Sequence, residues 1–389
     1  MQASRGEGMS GPVARALACA LAPWLEPARV PGRILLAVSG GPDSTALMHA
    51  VAEARAEVPV EVATVDHGLR PESAAEARAV AEAAARLGFP HHHLRWDGPR
   101  PATSLPAAAR AARYRLLAAC AAGIGARCVL TAHTRDDQAE TVLMRLIAGS
   151  GPGGLAGMRP ERALGEGVIL ARPFLGIPKI DLIAWCEARG LPFASDPSNA
   201  DEAFARARLR RLLPRLAREG LSTERLVRLA DRAARDEAAL RAAAERACAD
   251  VVGRKTRECL HLDGAAFAAL PEAVAIRVAD LVLDQAGGEG PRRLERLERL
   301  ILDALLPALR AGTPLRRTLR GLLIEAGRDR LVTVRRAPRR RGGGLAAPDP
   351  PGASRDTPLG ELLGKGGPAT YIGAECADGP AASGKGPGA

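Results

Sequence analysis

The chain carries Ser39-Gly40-Gly41-Pro42-Asp43-Ser44 directly after the apolar run Ile34–Val38 and before Thr45-Ala46-Leu47. That order reads as a buried strand, a glycine turn and a helix start, the place where an α/β protein binds phosphate. Gly40 and Gly41 let backbone amides approach an anion, while Ser39, Ser44 and Thr45 offer hydroxyls beside a helix N-terminus. Asp43 repels a phosphate unless a cation lies between them, so the loop calls for a hard divalent ion, magnesium. The Lys-Ser/Thr pair and longer glycine spacing of a Walker A loop are absent. The competing reading is a strand-turn-helix whose glycines serve only the turn.

Two more polar clusters follow apolar runs: Asp66-His67-Gly68-Leu69-Arg70 after Val60–Val65, and His133-Thr134-Arg135-Asp136-Asp137 after Cys128–Thr131. In the second, Asp137 and Glu140 are spaced i, i+3, which aims both carboxylates at one point if a helix opens there. An acidic helix N-terminus favoured by the macrodipole explains Asp136 and Asp137 equally well. Arg110 and Arg113 lie three apart in a helical stretch. The run His91-His92-His93 offers at most two imidazoles on one strand face with no third donor, so it reads as a strand edge and not a metal site.

These clusters need a scaffold. A first helix around Val13–Leu25 is followed by strand-like runs near 34–38, 60–65, 91–95, 128–131 and 168–171, alternating with helical stretches. Such alternation argues a Rossmann-like parallel sheet, covered on both faces, with functional groups at the carboxyl ends of its strands. The expected organisation is a catalytic α/β domain over 1–218, a helical linker region over 219–256, and a small α+β domain over 257–336. In that last domain, helices are expected near 264–284 and 291–306 and strands near 322–325 and 331–334. A Gly-, Pro- and Ala-rich disordered tail is expected over 337–389, opening on Arg339-Arg340-Arg341.

A length of 389 residues exceeds one ordinary core, and a net charge of +11 favours a polyanionic partner. Only Lys179, Lys255, Lys365 and Lys385 are lysines, so the arginine excess also carries compositional bias. Between Ala203 and Arg235 ten arginines face three acids, which makes either an RNA-facing helix surface or a solvated arginine face. Seven scattered cysteines without a Cys-x-x-Cys pair read as a reduced, cytoplasmic protein, and no apolar run reaches a membrane span.

The Ser-Gly-Gly-x-Asp-Ser loop resembles that of the N-type ATP pyrophosphatases, which cleave ATP between its α and β phosphates and adenylate a substrate. Set beside Val129–Leu146, Asp66–Arg70, Ala109–Tyr114, Gly149-Ser150-Gly151 with Gly154–Met158, Arg172–Leu175 and Asp196-Pro197-Ser198-Asn199, the resemblance narrows to the tRNA(Ile)-lysidine synthetase family. It covers Gly32 to Leu216. The resemblance implies ATP-dependent attachment of L-lysine to C2 of the wobble cytidine in the CAU anticodon of tRNA(Ile), through an adenylated cytidine, with release of AMP and diphosphate. Codon reading then changes from AUG to AUA, and no obligate protein partner is implied.

That chemistry assigns expected roles. ATP belongs to Ser39, Gly40, Gly41, Pro42, Asp43 and Ser44, and Mg2+ to Asp43. Free lysine, with a side-chain pKa near ~10.4, must be bound as an ammonium and deprotonated, a task for the carboxylates Asp137 and Glu140. His133 contacts nucleotide or substrate, and Arg113 meets charge developing on the α-phosphate. Lys179 is a candidate phosphate contact or an ordinary surface residue. Two positions depart from the family: Thr134 stands where many members carry a second histidine, and Ala207, between Arg206 and Arg208, where many carry asparagine. The rival readings are a tRNA thiolation enzyme, an amidotransferase-linked synthetase and a noncatalytic RNA-binding protein. The first lacks its paired cysteines here and the second its glutaminase domain, while the intact loop opposes the third.

Overall fold

The computed structural model describes residues 11–68, 73–98, 101, 105–194, 205–256, 259–290 and 292–338. Leu69-Arg70, Asp196–Asn199, Arg339–Arg341 and all but the first two residues of the expected tail lie outside the described residues. The chain divides into two compact units, one built from Met1–Asp137 with Arg159–Asp201, the other from Gln138–Met158 with Glu202–Gly364.

The first unit is built on a six-stranded sheet of β1 (Arg33–Ala37), β2 (Val60–Asp66), β3 (His91–Arg95), β4 (Ala126–Thr131), β5 (Glu161–Gly165) and β6 (Val168–Ala171), in the order β3-β2-β1-β4-β6-β5. β1 pairs in parallel with both β2 and β4, and β6 continues in parallel beside β4. β1, β2 and β4 are almost continuously buried, as expected for strands covered on two faces. The hairpin strand β5 is antiparallel to β6 and was not anticipated. Its half-exposed sequence Glu-Arg-Ala-Leu-Gly lacks the β-branched and aromatic residues that mark a strand.

Helices α1 (Pro12–Leu25), α2 (Pro42–Glu53) and α3 (Ser73–Arg86) cover one face, where Leu17, Leu21, Leu47, Met48 and Val80 pack against Ile34, Leu36 and Val62. α4 (Leu105–Gly123) covers the other, setting Leu117 and Ala121 against Leu35, Ala37 and Val129. From β1 the strand order runs outward to β2 and β3 on one side and to β4 and β6 on the other. The gap between β1 and β4 is therefore the topological switch point, where the loops that follow these two strands flank a crevice.

The second unit opens with the later residues of α5 (Arg135–Ile147), followed by α6 (Pro152–Leu155); α7 (Lys179–Glu187) belongs to the first unit. α8 (Ala205–Arg218) and the long α9 (Thr223–Val251), capped by Ser222, continue the second unit. Packing groups residues 138–158 and 205–218 here, and not with the sheet, because Ala139, Val142 and Leu143 share an apolar cluster with Leu209, Leu213, Leu226 and Ala230. Beyond α9 lies a five-stranded antiparallel sheet, β7 (Val252–Lys255), β8 (Cys259–Asp263), β9 (Leu315–Leu319), β10 (Leu322–Ala326) and β11 (Leu331–Arg336), in the order β7-β8-β11-β10-β9. Among the described residues no helix is long and apolar enough to cross a membrane.

Candidate active site

The loop after β1 is shaped by its own hydroxyls. Ser44 Oγ accepts the Ser39 amide at 3.1 Å and donates to the Gly41 carbonyl at 3.1 Å, which folds the turn back onto the start of α2. Gly40 adopts φ +85°, a left-handed conformation that strains any residue with a Cβ. Its carbonyl accepts the Ala194 amide at 2.8 Å, pinning the turn from outside. Gly41 caps α2 in an extended conformation and Pro42 opens the helix, leaving the loop at a helix N-terminus.

Asp43, in the first turn of α2, meets the Lys179 ammonium through Oδ2. Its Oδ1 is buried without a hydrogen-bond partner. Burial drives the Asp43 pKa above the ordinary carboxylate value; Lys179 opposes that shift, and Asp137 and Asp136 add to it. An orphaned carboxylate oxygen amid like charges suits a hard cation. Among the described residues no three His, Cys, Asp or Glu side chains gather to hold a metal unaided. A cation at Asp43 would thus draw its other ligands from phosphate oxygens and water, as magnesium does in nucleotide sites.

The turn after β4 stands across the switch point. His133 is half-buried, with Nδ1 2.9 Å from the Thr131 hydroxyl. Thr134 is fully buried and caps α5. Asp137 Oδ2 accepts from the Thr134 amide at 2.8 Å and its hydroxyl at 2.9 Å, a reciprocal capping box. Asp136 Oδ2 accepts the Lys179 amide at 2.8 Å and so caps α7. Glu140, 1% exposed, takes Arg210 Nε of α8 at 2.7 Å. The expected convergence of Asp137 and Glu140 on one ligand is not what forms: one carboxylate turns back on its own helix cap, and the other holds α8. Shared helix spacing placed them together, yet each found a nearer cation or amide.

Thr134 thus has a structural use where many family members carry histidine. Thr134→Val removes the cap and should lower stability by about 1 kcal/mol, read by thermal unfolding. An unchanged midpoint would dismiss the capping box.

Arg113 lies half-buried on α4, and after burial its charge is the next cause holding His67 below the ordinary imidazole value. His67 stacks edge-on against Trp96 at 6.1 Å. Asp66 takes the Gly68 amide and the Ser73 hydroxyl, both at 2.7 Å, and so shapes the end of β2. The histidines of β3, an edge strand, bond Thr64, Glu61 and Asp66 separately. Ala207 is buried at 6% exposure, so the position occupied by asparagine in many members is not on an RNA-facing surface, whereas Arg208, Arg211, Arg215 and Arg218 are exposed.

Sequence reasoning missed the Lys179–Asp43 pair, since nothing local signals a contact between residues 136 apart. It also missed Gln138, whose side-chain amide accepts from the Met158 amide at 2.7 Å and donates to the Met158 carbonyl at 3.1 Å. Gly157, at φ +66°, leaves room for that clamp: a Cβ there would lie 2.7 Å from Gln138 Oε1.

Residues 13–216 match the model of the PP-loop domain. A tRNA(Ile)-lysidine synthase of Methylobacterium sp. (strain 4-46) is 57% identical over 324 residues, covering 82% of this chain and 94% of that protein. The corresponding protein of Rhodopseudomonas palustris is 50% identical over 319 residues, covering 79% and 91%. Among solved structures, the U34-tRNA thiolase NcsA from Methanococcus maripaludis overlays with a TM-score of 0.48 at 17% identity, over 57% of this chain and 78% of that one. With a PP-loop at its switch point and relatives of this identity along most of its length, the chain belongs to the tRNA(Ile)-lysidine synthase family of ATP-dependent ligases.

Proposed function

We propose that this chain joins L-lysine to C2 of the wobble cytidine in CAU-anticodon tRNA(Ile), in the cytoplasm, using ATP held by Ser39–Ser44. The observation that carries the residue assignment is Asp43: a buried carboxylate oxygen without a partner, in a glycine turn at a helix N-terminus, beside the switch point.

In the first step the cytidine C2 oxygen attacks the α-phosphorus, and the bond from that phosphorus to the bridging oxygen breaks. Diphosphate departs towards the amides and hydroxyls of the loop, where Ser39, Gly40, Gly41 and Ser44 bind it. Arg113 meets the charge gathering on the α-phosphate oxygens. Asp43 would hold Mg2+, which when bound would neutralise charge on the departing phosphates. In the second step the lysine ε-amine attacks C2, and the C–O bond to AMP breaks with its electron pair leaving on AMP.

The amine attacks as the neutral base, so the ammonium first gives its proton to the Asp137 carboxylate or to solvent, and the further N–H proton released as the C–N bond forms passes to solvent. Asp137, with Asp136 close enough to influence Asp43, gives this side of the crevice a negative field that attracts an ammonium. His133 orients nucleotide or base from the end of β4. Glu140, bonded to Arg210, holds α8 within its own unit. Residues 257–336 are proposed to bind tRNA.

The test is AMP release by the purified chain with lysine and unmodified tRNA varied independently, followed by mass measurement of the anticodon fragment. AMP formation requiring both substrates, with a lysine-sized gain in mass, is the expected result. AMP formation that needs tRNA but ignores lysine would point to another nucleophile, as in thiolation.

A further inference from the structure

We propose that Asp136 is a positioning residue for the phosphate loop: by holding the first residue of α7 it sets the Lys179 ammonium on Asp43. It thereby fixes the spacing between the turn after β4 and the loop after β1. That these two flank a nucleotide rests on the function proposed above. Asp136 Oδ2 accepts the Lys179 amide at 2.8 Å, and the same lysine reaches Asp43 Oδ2 with its ammonium. One residue of α7 is thus tied by its backbone to one wall of the switch-point crevice and by its side chain to the other.

Helix α7 needs this acceptor from outside. Pro178 stands at its N-cap and makes no side-chain cap, so the amide of Lys179, the first helical residue, depends on another element for its partner. Asp136 itself lies in the first turn of α5. Its carboxylate therefore stands at the starts of two helices, where orphan amides of both favour a negative charge. The same dipole disfavours a cation in the first turn of α7, so Lys179 is held there against local preference. The neighbouring backbone is stitched in the same sense, the Arg135 amide donating to the Ile177 carbonyl at 2.9 Å.

The rest of α7 is fastened to α2 without Asp136. Cys186 Sγ donates to the Pro42 carbonyl at 3.7 Å, and just past the helix Arg189 Nε donates to Glu53 Oε1 at 2.9 Å. These contacts leave the first turn of α7 to the Asp136 cap, so loss of the cap frees that turn without detaching the helix. Lysine is long and flexible, and its ammonium keeps one partner only when its own backbone is fixed. A displacement of about 1 Å passed to a reacting centre in this way can cost up to ~100-fold in rate.

The experiment uses the full-length chain and measures kcat/KM for ATP in AMP formation, at saturating lysine and tRNA, with melting midpoints alongside. Asp136→Ala should lower kcat/KM about five- to tenfold, and Asp136→Asn, which keeps an acceptor oxygen, should return it to within about twofold of the wild type. In the Lys179→Met background Asp136→Ala should cost no more than about twofold, because the group it positions has gone. Stability should behave differently: the cap is made to the lysine backbone, so Asp136→Ala should lower the melting midpoint in both backgrounds. Asp136→Glu keeps the charge but carries it a methylene further out; it should lose activity as the alanine variant does, and it reads the same quantity where alanine fails to fold. An equal fold-loss in both backgrounds would overturn the proposal, and so would an asparagine variant as impaired as alanine. Dissociation constants for a non-cleavable ATP analogue should follow the same pattern across these variants. They test the positioning role independently of AMP formation, whose failure in the wild type would instead overturn the proposed function.

Discussion

Asp43→Asn should lower AMP formation by at least about a thousandfold and leave the protein as stable as the wild type at neutral pH, or more so. The loss of activity follows from charge: asparagine preserves shape and one acceptor oxygen but cannot neutralise a cation set against triphosphate. A thousandfold loss is about 4 kcal/mol of transition-state stabilisation, within the range of a single well-placed electrostatic group. The stability result follows from burial. The folded-state pKa of Asp43 is raised, chiefly because burial disfavours the charged form, with Lys179 only partly compensating. Between the unfolded value and that raised value, the folded chain holds a proton that the unfolded chain has released, so stability falls as pH rises through the window. Above it Asp43 is ionised in both states and the cost is fully present. Asparagine has no such cost, and the stability difference between variant and wild type should shrink on acidification. Full AMP formation by the variant would remove Asp43 from the catalytic loop; a lower melting midpoint at neutral pH would make the Lys179 pair a net stabiliser.

The phosphate loop was legible because everything that shapes it is contiguous: the apolar run, the left-handed Gly40 and the hydroxyls of Ser39 and Ser44 fall within a dozen residues. The parallel sheet was legible for a similar reason, as its central strands are short apolar runs separated by amphipathic helices. β5, β7, β8 and β9 were not, because their residues are half-exposed, charged or brief, and only pairing with a neighbour makes them strands. At the site, residue types were readable and partners were not. Asp137 and Glu140 share a helix face, and nothing in their spacing reveals that Thr134 takes one and Arg210 the other. Arg172 was legible only as part of the Arg172–Leu175 motif, and it is burial that distinguishes it from the exposed arginines of α8.

Lys179→Met should cut kcat/KM for ATP by about ten- to a hundredfold near neutral pH, with the loss concentrated on the acid side of the profile. Lys179 is the cation bonded to Asp43. Without it, the burial and the neighbouring Asp137 and Asp136 that already raise the Asp43 pKa act unopposed, so the carboxylate ionises at still higher pH. A step that needs ionised Asp43 then acquires an acid limb displaced towards alkaline pH, and activity recovers in part as pH is raised. Stability responds in the opposite sense. At about pH 8 the variant holds a buried carboxylate without its counter-charge, whereas in acid the group is neutral with or without lysine. The difference in melting midpoint should therefore be widest in alkali and close on acidification. With side-chain exposures of 35% for Lys179 and 20% for Asp43, the destabilisation should be about 1–2 kcal/mol, below the several kcal/mol lost when a fully buried pair is broken. Combining Lys179→Met with Asp43→Asn isolates the pair. The double variant should be no less stable than Asp43→Asn alone, because the charge that lysine compensates has gone. A lysine that served only as a phosphate contact would lower kcat/KM equally across the pH range and leave the melting midpoint unmoved at every pH.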